Sequence, residues 1–219
     1  MIKINDFYNS FVSLLDSENK RDAVSYILSL LTEKKVNVQT LYSEILSPAM
    51  NNWVCPFDDE NFCIWKEHVR TNIVNTVIES SYSFVVKEQE ELNNSINKSV
   101  AVICPQEEYH DLGLKMVANI FILMGYKVTF VGANTPKEVI KSVTENFVFD
   151  YFAFGITDPY NIVETSKTIN IIKSRHKDSR IIVGGYAFRN NSHLVKKIGA
   201  DIIFNSFEDI VKFREGESL

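Results

Sequence analysis

Apolar residues recur at intervals of three and four along "FYNSFVSLLDSENKRDAVSYILSLLTEKK" and again along "VQTLYSEILSPAMNNW", the period of helices that bury one face. An irregular stretch, "NWVCPFDDENF", interrupts the pattern, which resumes in "CIWKEHVRTNIVNTVIESSYSFVVKEQEEL", where Val69, Ile73 and Val77 form one stripe. About four antiparallel helices joined by short loops predict a four-helix bundle over residues 1–92. The polar run "KEQEELNNSINKS" reads as the linker. From residue 98 to 219 the period changes. Short apolar runs, "VAVICP", "KVTFVG", "YFAFGIT", "RIIVGG" and "DIIFN", alternate with helix-like segments around Leu112–Gly125, Pro136–Asn146, Asn161–Arg175 and Ser192–Ile198. That alternation predicts an α/β fold, a doubly wound parallel sheet of five strands with helices on both faces. The flavodoxin-like order 2-1-3-4-5 is expected, with ligands beyond the carboxyl ends of the strands.

Composition narrows the class. The 219 residues are 45% hydrophobic and 23% charged, enough apolar material for a packed core. A formal charge of -5 argues against broad attraction to nucleic acid or anionic membrane. No apolar run has the length of a membrane span, and the N-terminal segment lacks the basic-then-apolar order of a signal peptide. Three cysteines, Cys55, Cys63 and Cys104, cannot form a complete disulfide set, so a cytoplasmic location is expected. Cys55, Cys63 and His68 lack the paired spacing of a zinc site. His176 and His193 read as exposed loop or helix-end residues, and Asn134 or Thr135 as an N-cap before Pro136.

Chemistry is expected after strands one, three and four. There lie Glu108-Tyr109-His110-Asp111-Leu112-Gly113, Gly155-Ile156-Thr157 and Gly184-Gly185. A histidine at a strand end is most often a loop residue, and paired glycines are common in doubly wound folds. Their coincidence at adjacent strand ends, with carboxylates on either side of the imidazole, points to function. Neutral imidazole is a good ligand for a borderline transition metal. A carboxylate on its other nitrogen fixes the tautomer, and Glu108 or Asp111 could serve. Glycines leave volume for a long group to pass between strand ends.

These residues resemble the cobalamin (vitamin B12) binding domain shared by methionine synthase, corrinoid methyl carriers and B12-dependent photoreceptors. The Asp-x-His-x-x-Gly motif of that family falls on Glu108, His110 and Gly113, with Glu in place of Asp. Its Ser-x-Leu/Thr motif falls on Gly155, Ile156 and Thr157 with Ser lost, and its Gly-Gly on Gly184 and Gly185. The resemblance implies cobalamin as cofactor, His110 as the lower cobalt ligand, Glu108 as its carboxylate partner and a channel for the displaced nucleotide tail. Tyr109, Asp111 and Leu112 belong to the same loop. Glycine at 155 removes one hydrogen bond to that tail and would widen the space.

The helical half resembles the cap that precedes this domain in methionine synthase and the photoreceptors. There a Trp and a Glu-His pair face the upper side of the corrin, which implies that role for Trp53 or Trp65, Glu67 and His68. Thirteen residues separate Trp53 from Glu67, so "CPFDDENFC" reads as carrying an insertion. A histidine near a helix start would be biased toward its neutral form by the helix dipole. The Glu67-His68 pair and the form of the His110 loop imply a sensory or regulatory module, responsive to light or adenosylcobalamin, that turns over no substrate. It would act on a regulator partner or through homo-oligomers. The alternative is a corrinoid methyl carrier, loaded with methylcobalamin and served by a methyltransferase. A module that has kept the fold and lost the cofactor is the third possibility.

Overall fold

The structure, a computed structural model, describes residues 4–189, 191 and 193–216. The chain divides into two compact units, 1–88 and 89–219.

The first unit is helical. Ile4–Asp16 and Lys20–Thr32 form its first two helices, burying Phe7, Phe11 and Leu15 from one and Ala23, Ile27, Leu30 and Leu31 from the other. Asn19 caps the second by accepting from the Asp22 N–H. The third helical segment, 38–51, is not uniform: Val38–Thr40 is α-helical, Leu41–Leu46 is π-helical, and Ser47–Asn51 returns to α. Pro48 explains the wide turn. It has no N–H to give the Glu44 carbonyl, and its ring crowds that carbonyl, so the Ser47 N–H reaches back to Tyr42 O. Glu60–Leu92 is a single long helix whose buried positions include Ile73, Val74, Val77 and Ile78, while Val69 is half-buried. It runs through the first part of the expected linker; only 93–98 are non-helical before the first strand.

The second unit is a five-stranded parallel sheet in the order β2-β1-β3-β4-β5, with β1 Ser99–Pro105, β2 Lys127–Thr135, β3 Tyr151–Gly155, β4 Arg180–Gly184 and β5 Ile202–Phe204. Both faces of the central strands are buried. Ala101, Ile103, Phe152, Phe154, Ile181 and Val183 pack with Ile140, Ile162, Ile169 and Ile172 on one side. Val100, Val102, Ala153 and Ile182 are buried between them on the other. Strands covered on both faces must read as continuous apolar runs, and these do. The helices are Leu112–Leu123, Lys137–Asn146, Asn161–Arg175, Leu194–Lys197 and Phe207–Glu215. Part of the expected Ser192–Ile198 helix, at Ser192, lies outside the described residues. The last helix was not anticipated, although Ser206 and Asp209 form a capping box at its start. Pro136 itself occupies the N-cap position of Lys137–Asn146, without a side-chain cap, so neither Asn134 nor Thr135 serves there. His176 is half-buried at the end of Asn161–Arg175, with Nε2 2.8 Å from Thr144 O, and is not the exposed residue expected.

The amino ends of the strands are tied by acidic residues. The Asp150 carboxylate accepts from Lys98 Nζ at 2.7 Å, Ser99 N at 2.8 Å and Ser99 Oγ at 2.9 Å, joining the starts of β1 and β3. Asp201 accepts from Ile181 N at 2.7 Å and pairs with Lys173 at 2.8 Å, doing the same for β4. Burial pushes the Asp150 carboxyl up, but the hydrogen bonds from Lys98 and Ser99 outweigh it and hold it below its ordinary value. A carboxylate depressed in the folded state adds stability above its unfolded pKa, and that contribution disappears as pH falls through the folded one. Asp150→Asn should therefore lose about 1–3 kcal/mol at pH 7. In urea titrations the gap to the unaltered chain should narrow toward pH 3 and below.

Candidate cofactor site at the strand ends

β1 ends at Pro105, and the chain then turns through residues 106–111 into the helix Leu112–Leu123. Glu107 takes a left-handed φ of 66° there, a conformation that needs outside support. Asn134, at the end of β2 and itself left-handed (φ 50°), supplies it. Its Oδ1 accepts from Glu107 N at 2.9 Å, and its N–H donates to Glu108 O at 2.8 Å. Asn134 thus braces the loop from the neighbouring strand.

Glu108 is fully buried, with no exposed surface. Its Oε1 accepts the His110 backbone N–H at 3.1 Å and lies 2.6 Å from His110 Nδ1. Its Oε2 accepts from Thr157 N at 2.8 Å, Asp158 N at 3.0 Å and Asn161 Nδ2 at 3.2 Å. Burial alone would raise the Glu108 carboxyl. The hydrogen bonds from Asp158, His110 and Thr157 overcome it, and the net displacement is downward. An ionised carboxylate only accepts, so Nδ1 of His110 must carry the proton that points at it. In neutral imidazole that leaves the lone pair on Nε2. The His110 side chain is 65% exposed, so its free edge faces outward. The longer Glu, where the resembled motif has Asp, reaches from the β1 loop to the β3 loop and the start of the helix Asn161–Arg175.

This donor set fits a metal that brings most of its own ligands. Among the described residues no group of three or more His, Cys, Asp or Glu could hold an ion by itself. A macrocycle-bound cobalt could take one nitrogen from the protein, and a tautomerically fixed imidazole with an open Nε2 would suit that role. Asp111 occupies the N-cap position of Leu112–Leu123 without a side-chain cap bond, and Tyr109 is 67% exposed. Of the two carboxylates near His110, Glu108 is the one that holds it.

The glycines have a more local explanation than an open channel. A Cβ on Gly185 would lie 2.3 Å from Ile156 O, and its φ of +110° excludes ordinary side chains. A Cβ on Gly184 would meet Phe204 O at 2.8 Å. Gly155 does not widen the space: Leu114 fills it, its Cδ1 2.8 Å from where a Cβ would stand. At Gly113, by contrast, a Cβ would meet nothing within 4 Å. Thr157 contributes its backbone N–H to Glu108.

In the helical unit, Trp53, Glu67, His68 and Trp65 do not form one group. Trp53 and Glu67 line a cavity of about 260 Å³ with Met50, Cys55 and Arg70. Trp65 and His68 line another, of about 410 Å³, with Glu18, Lys20, Val69, Asn72 and Ile73. Successive helical positions point about 100° apart, which is why adjacent Glu67 and His68 separate. His68 is well inside Glu60–Leu92, so the dipole argument fails for it, since that effect fades within the first turn. Trp65 is 62% exposed. Cys55 and Cys63 are joined as a disulfide and Cys104 is free and buried, so the odd cysteine count does not support the reducing compartment read from it. Burial, then Asp111 and Glu108, push the Cys104 thiol up to about 12.

Residues 98–212, more than half of the chain, match the family model of the B12 binding domain. The chain belongs to the B12-binding family. Cobalamin is accordingly its cofactor. No curated protein sequence matches the chain. Among solved structures it is similar to the Methanosarcina barkeri monomethylamine corrinoid protein, at a TM-score of 0.79 and 12% identity over 96% of this chain and 98% of that one. A cobalamin-binding protein from Desulfitobacterium hafniense DCB-2 is similar at a TM-score of 0.50 and 14% identity, over 99% and 98%. At these identities the likeness is one of fold. No helix of the described residues is long and apolar enough to cross a membrane.

Three substitutions test this site. Glu108→Gln should lower cobalamin affinity by about 10–100-fold and broaden the His110 tautomer distribution, read from imidazole ¹⁵N shifts in the cofactor-free protein. Gly185→Ala should cost at least about 2 kcal/mol without cofactor, since its φ and the Ile156 carbonyl both oppose a side chain. Gly113→Ala should fold normally, as urea titration of both variants will show.

Proposed function

We propose that the chain is a corrinoid methyl carrier that presents its cofactor to a separate methyltransferase. The observation that carries this reading is the extent of the likeness to the monomethylamine corrinoid protein, which takes in nearly the whole of both chains, helical part included. A sensory or light-responsive role, suggested by the Glu67-His68 pair, is less well supported: the two residues line different cavities, and neither similar structure is described as a photoreceptor.

In this reading His110 Nε2 would be the protein's ligand to the cobalt of the cofactor. Bound cobalamin supplies a cobalt–carbon bond that can be formed and broken. The protein's part is to hold the imidazole and tune it. Glu108 keeps Nδ1 protonated and increases electron donation from Nε2, while the Thr157, Asp158 and Asn161 donors hold Glu108 in place. Gly113, Gly155, Thr157, Gly184 and Gly185 shape the strand ends around the nucleotide tail. The partner is a methyltransferase.

His110→Ala should retain the fold by circular dichroism, shift bound cobalamin toward its base-off absorption spectrum and slow methyl transfer by about tenfold or more. An unchanged spectrum would remove His110 from the cobalt. The carrier role is checked by loading the chain with methylcobalamin and following methyl loss to a thiol acceptor with a corrinoid-dependent methyltransferase. A chain inert in that assay, whose adenosyl form instead changes oligomeric state on illumination, would return the sensor reading.

A further inference from the structure

Residues 52–59 connect the helix Ser47–Asn51 to the long helix Glu60–Leu92. None of them is buried: Trp53 and Cys55 are half-buried and the others exposed. Among the described residues, the backbone of 53–58 bonds to no other backbone group. Side chains hold the strap instead. The Trp53 ring centre lies 5.3 Å from the Arg70 guanidinium, and Asp59 Oδ1 caps the long helix by accepting from Asn61 N at 2.9 Å and Phe62 N at 3.2 Å. Between these ends Phe57 meets Phe62 edge to face at 4.6 Å, and the Cys55–Cys63 disulfide spans a sequence separation of 8.

Such a bond does little for the core, which is built from Phe11, Leu15, Ile27, Leu41, Ile45 and Ile73 and contains no residue of the strap. Its effect is local. A segment with unpaired backbone and few buried contacts sits at the low-stability end of a structure, so this one covalent tie decides whether the strap stays on the helix. Neither cysteine of the pair is buried, unlike Cys104. Trp53 and Cys55 are two of the five residues that line the cavity of about 260 Å³, with Met50, Glu67 and Arg70. A freed strap therefore means a loosened cavity wall. We propose that Cys55–Cys63 is a redox-modification site, a latch that a dithiol reductant opens and that, when closed, holds the Trp53 wall of this cavity. One thiolate of the reductant attacks a sulfur of the pair, the S–S bond breaks, and the other cysteine leaves as a thiolate and takes up a proton. The reductant's second thiol then displaces the remaining cysteine. Two electrons and two protons pass to the pair, and the dithiol becomes a disulfide. The latch is independent of methyl carriage.

The test uses the full chain carrying Trp65→Phe, which leaves Trp53 as its single tryptophan. Dithiothreitol should open Cys55 and Cys63 to iodoacetamide under native conditions, with buried Cys104 protected. Trp53 emission should move to longer wavelength and be quenched more readily by acrylamide. Amide exchange at Asn61, Phe62 and Cys63 should quicken as the Asp59 cap loosens. The helical circular dichroism should stay, and oxidised glutathione should restore every other signal. The double substitution Cys55→Ser and Cys63→Ser should fold, match the reduced chain and ignore dithiothreitol. Reduction, proven by alkylation, that leaves Trp53 and those amides unmoved overturns the latch. So does loss of the helical signal on reduction or in the double variant, which would make the bond a structural staple. A disulfide that dithiothreitol does not reach in the native chain overturns it as well.

Discussion

A fully buried, ionised carboxylate is the constraint on which the site rests. Removing such a charge from water is costly unless it is met by donors, and Glu108 is met on both oxygens. Those donors come from its own loop, from the turn after β3 and from the first residue of the helix Asn161–Arg175. One side chain therefore fixes three segments relative to each other and sets which nitrogen of His110 faces outward. The family's shorter Asp would have less reach. In this chain Glu108 sits at the junction of two strand ends, gripping the histidine loop with one oxygen and the turn after β3 with the other.

The order of the strands was legible because doubly covered strands must be apolar throughout, and the runs around Val102, Phe152 and Ile182 are. The His110 loop was legible because a titratable residue followed a strand and preceded a helix. What escaped was long-range or non-periodic. Asn134 and Asn161 contact the loop across 27 and 53 residues, and nothing local in the sequence marks either as a brace. The Cys55–Cys63 pairing depends on how the irregular stretch before Glu60 folds back, which spacing does not encode. Glu67 and His68 are adjacent in the chain, but their helix faces differ, so a motif read as a pair becomes two separate residues. The helix Phe207–Glu215 had a readable signal in the capping box of Ser206 and Asp209.

The glycines illustrate how a motif can serve two demands. Gly184 and Gly185 are required by the approach of Phe204 and Ile156 carbonyls before any cofactor is considered. Gly155 gives its space to Leu114, a flexible side chain that can move where a backbone atom cannot. The strand ends are therefore rigid at β4 and adaptable at β3, and shape adjustment to a bound group falls on Leu114.

β2 pairs on one side only, with β1, and much of it is exposed. A strand with one pairing edge open opens more readily in native-state fluctuations than a strand paired on both sides. Because Asn134 sits at the end of this strand and grips the loop before His110, each excursion of the edge loosens that loop as well. Coupling runs both ways: a group that fastens the loop slows the fraying of β2, and amide protection along an outer strand becomes a distant report of occupancy at the imidazole.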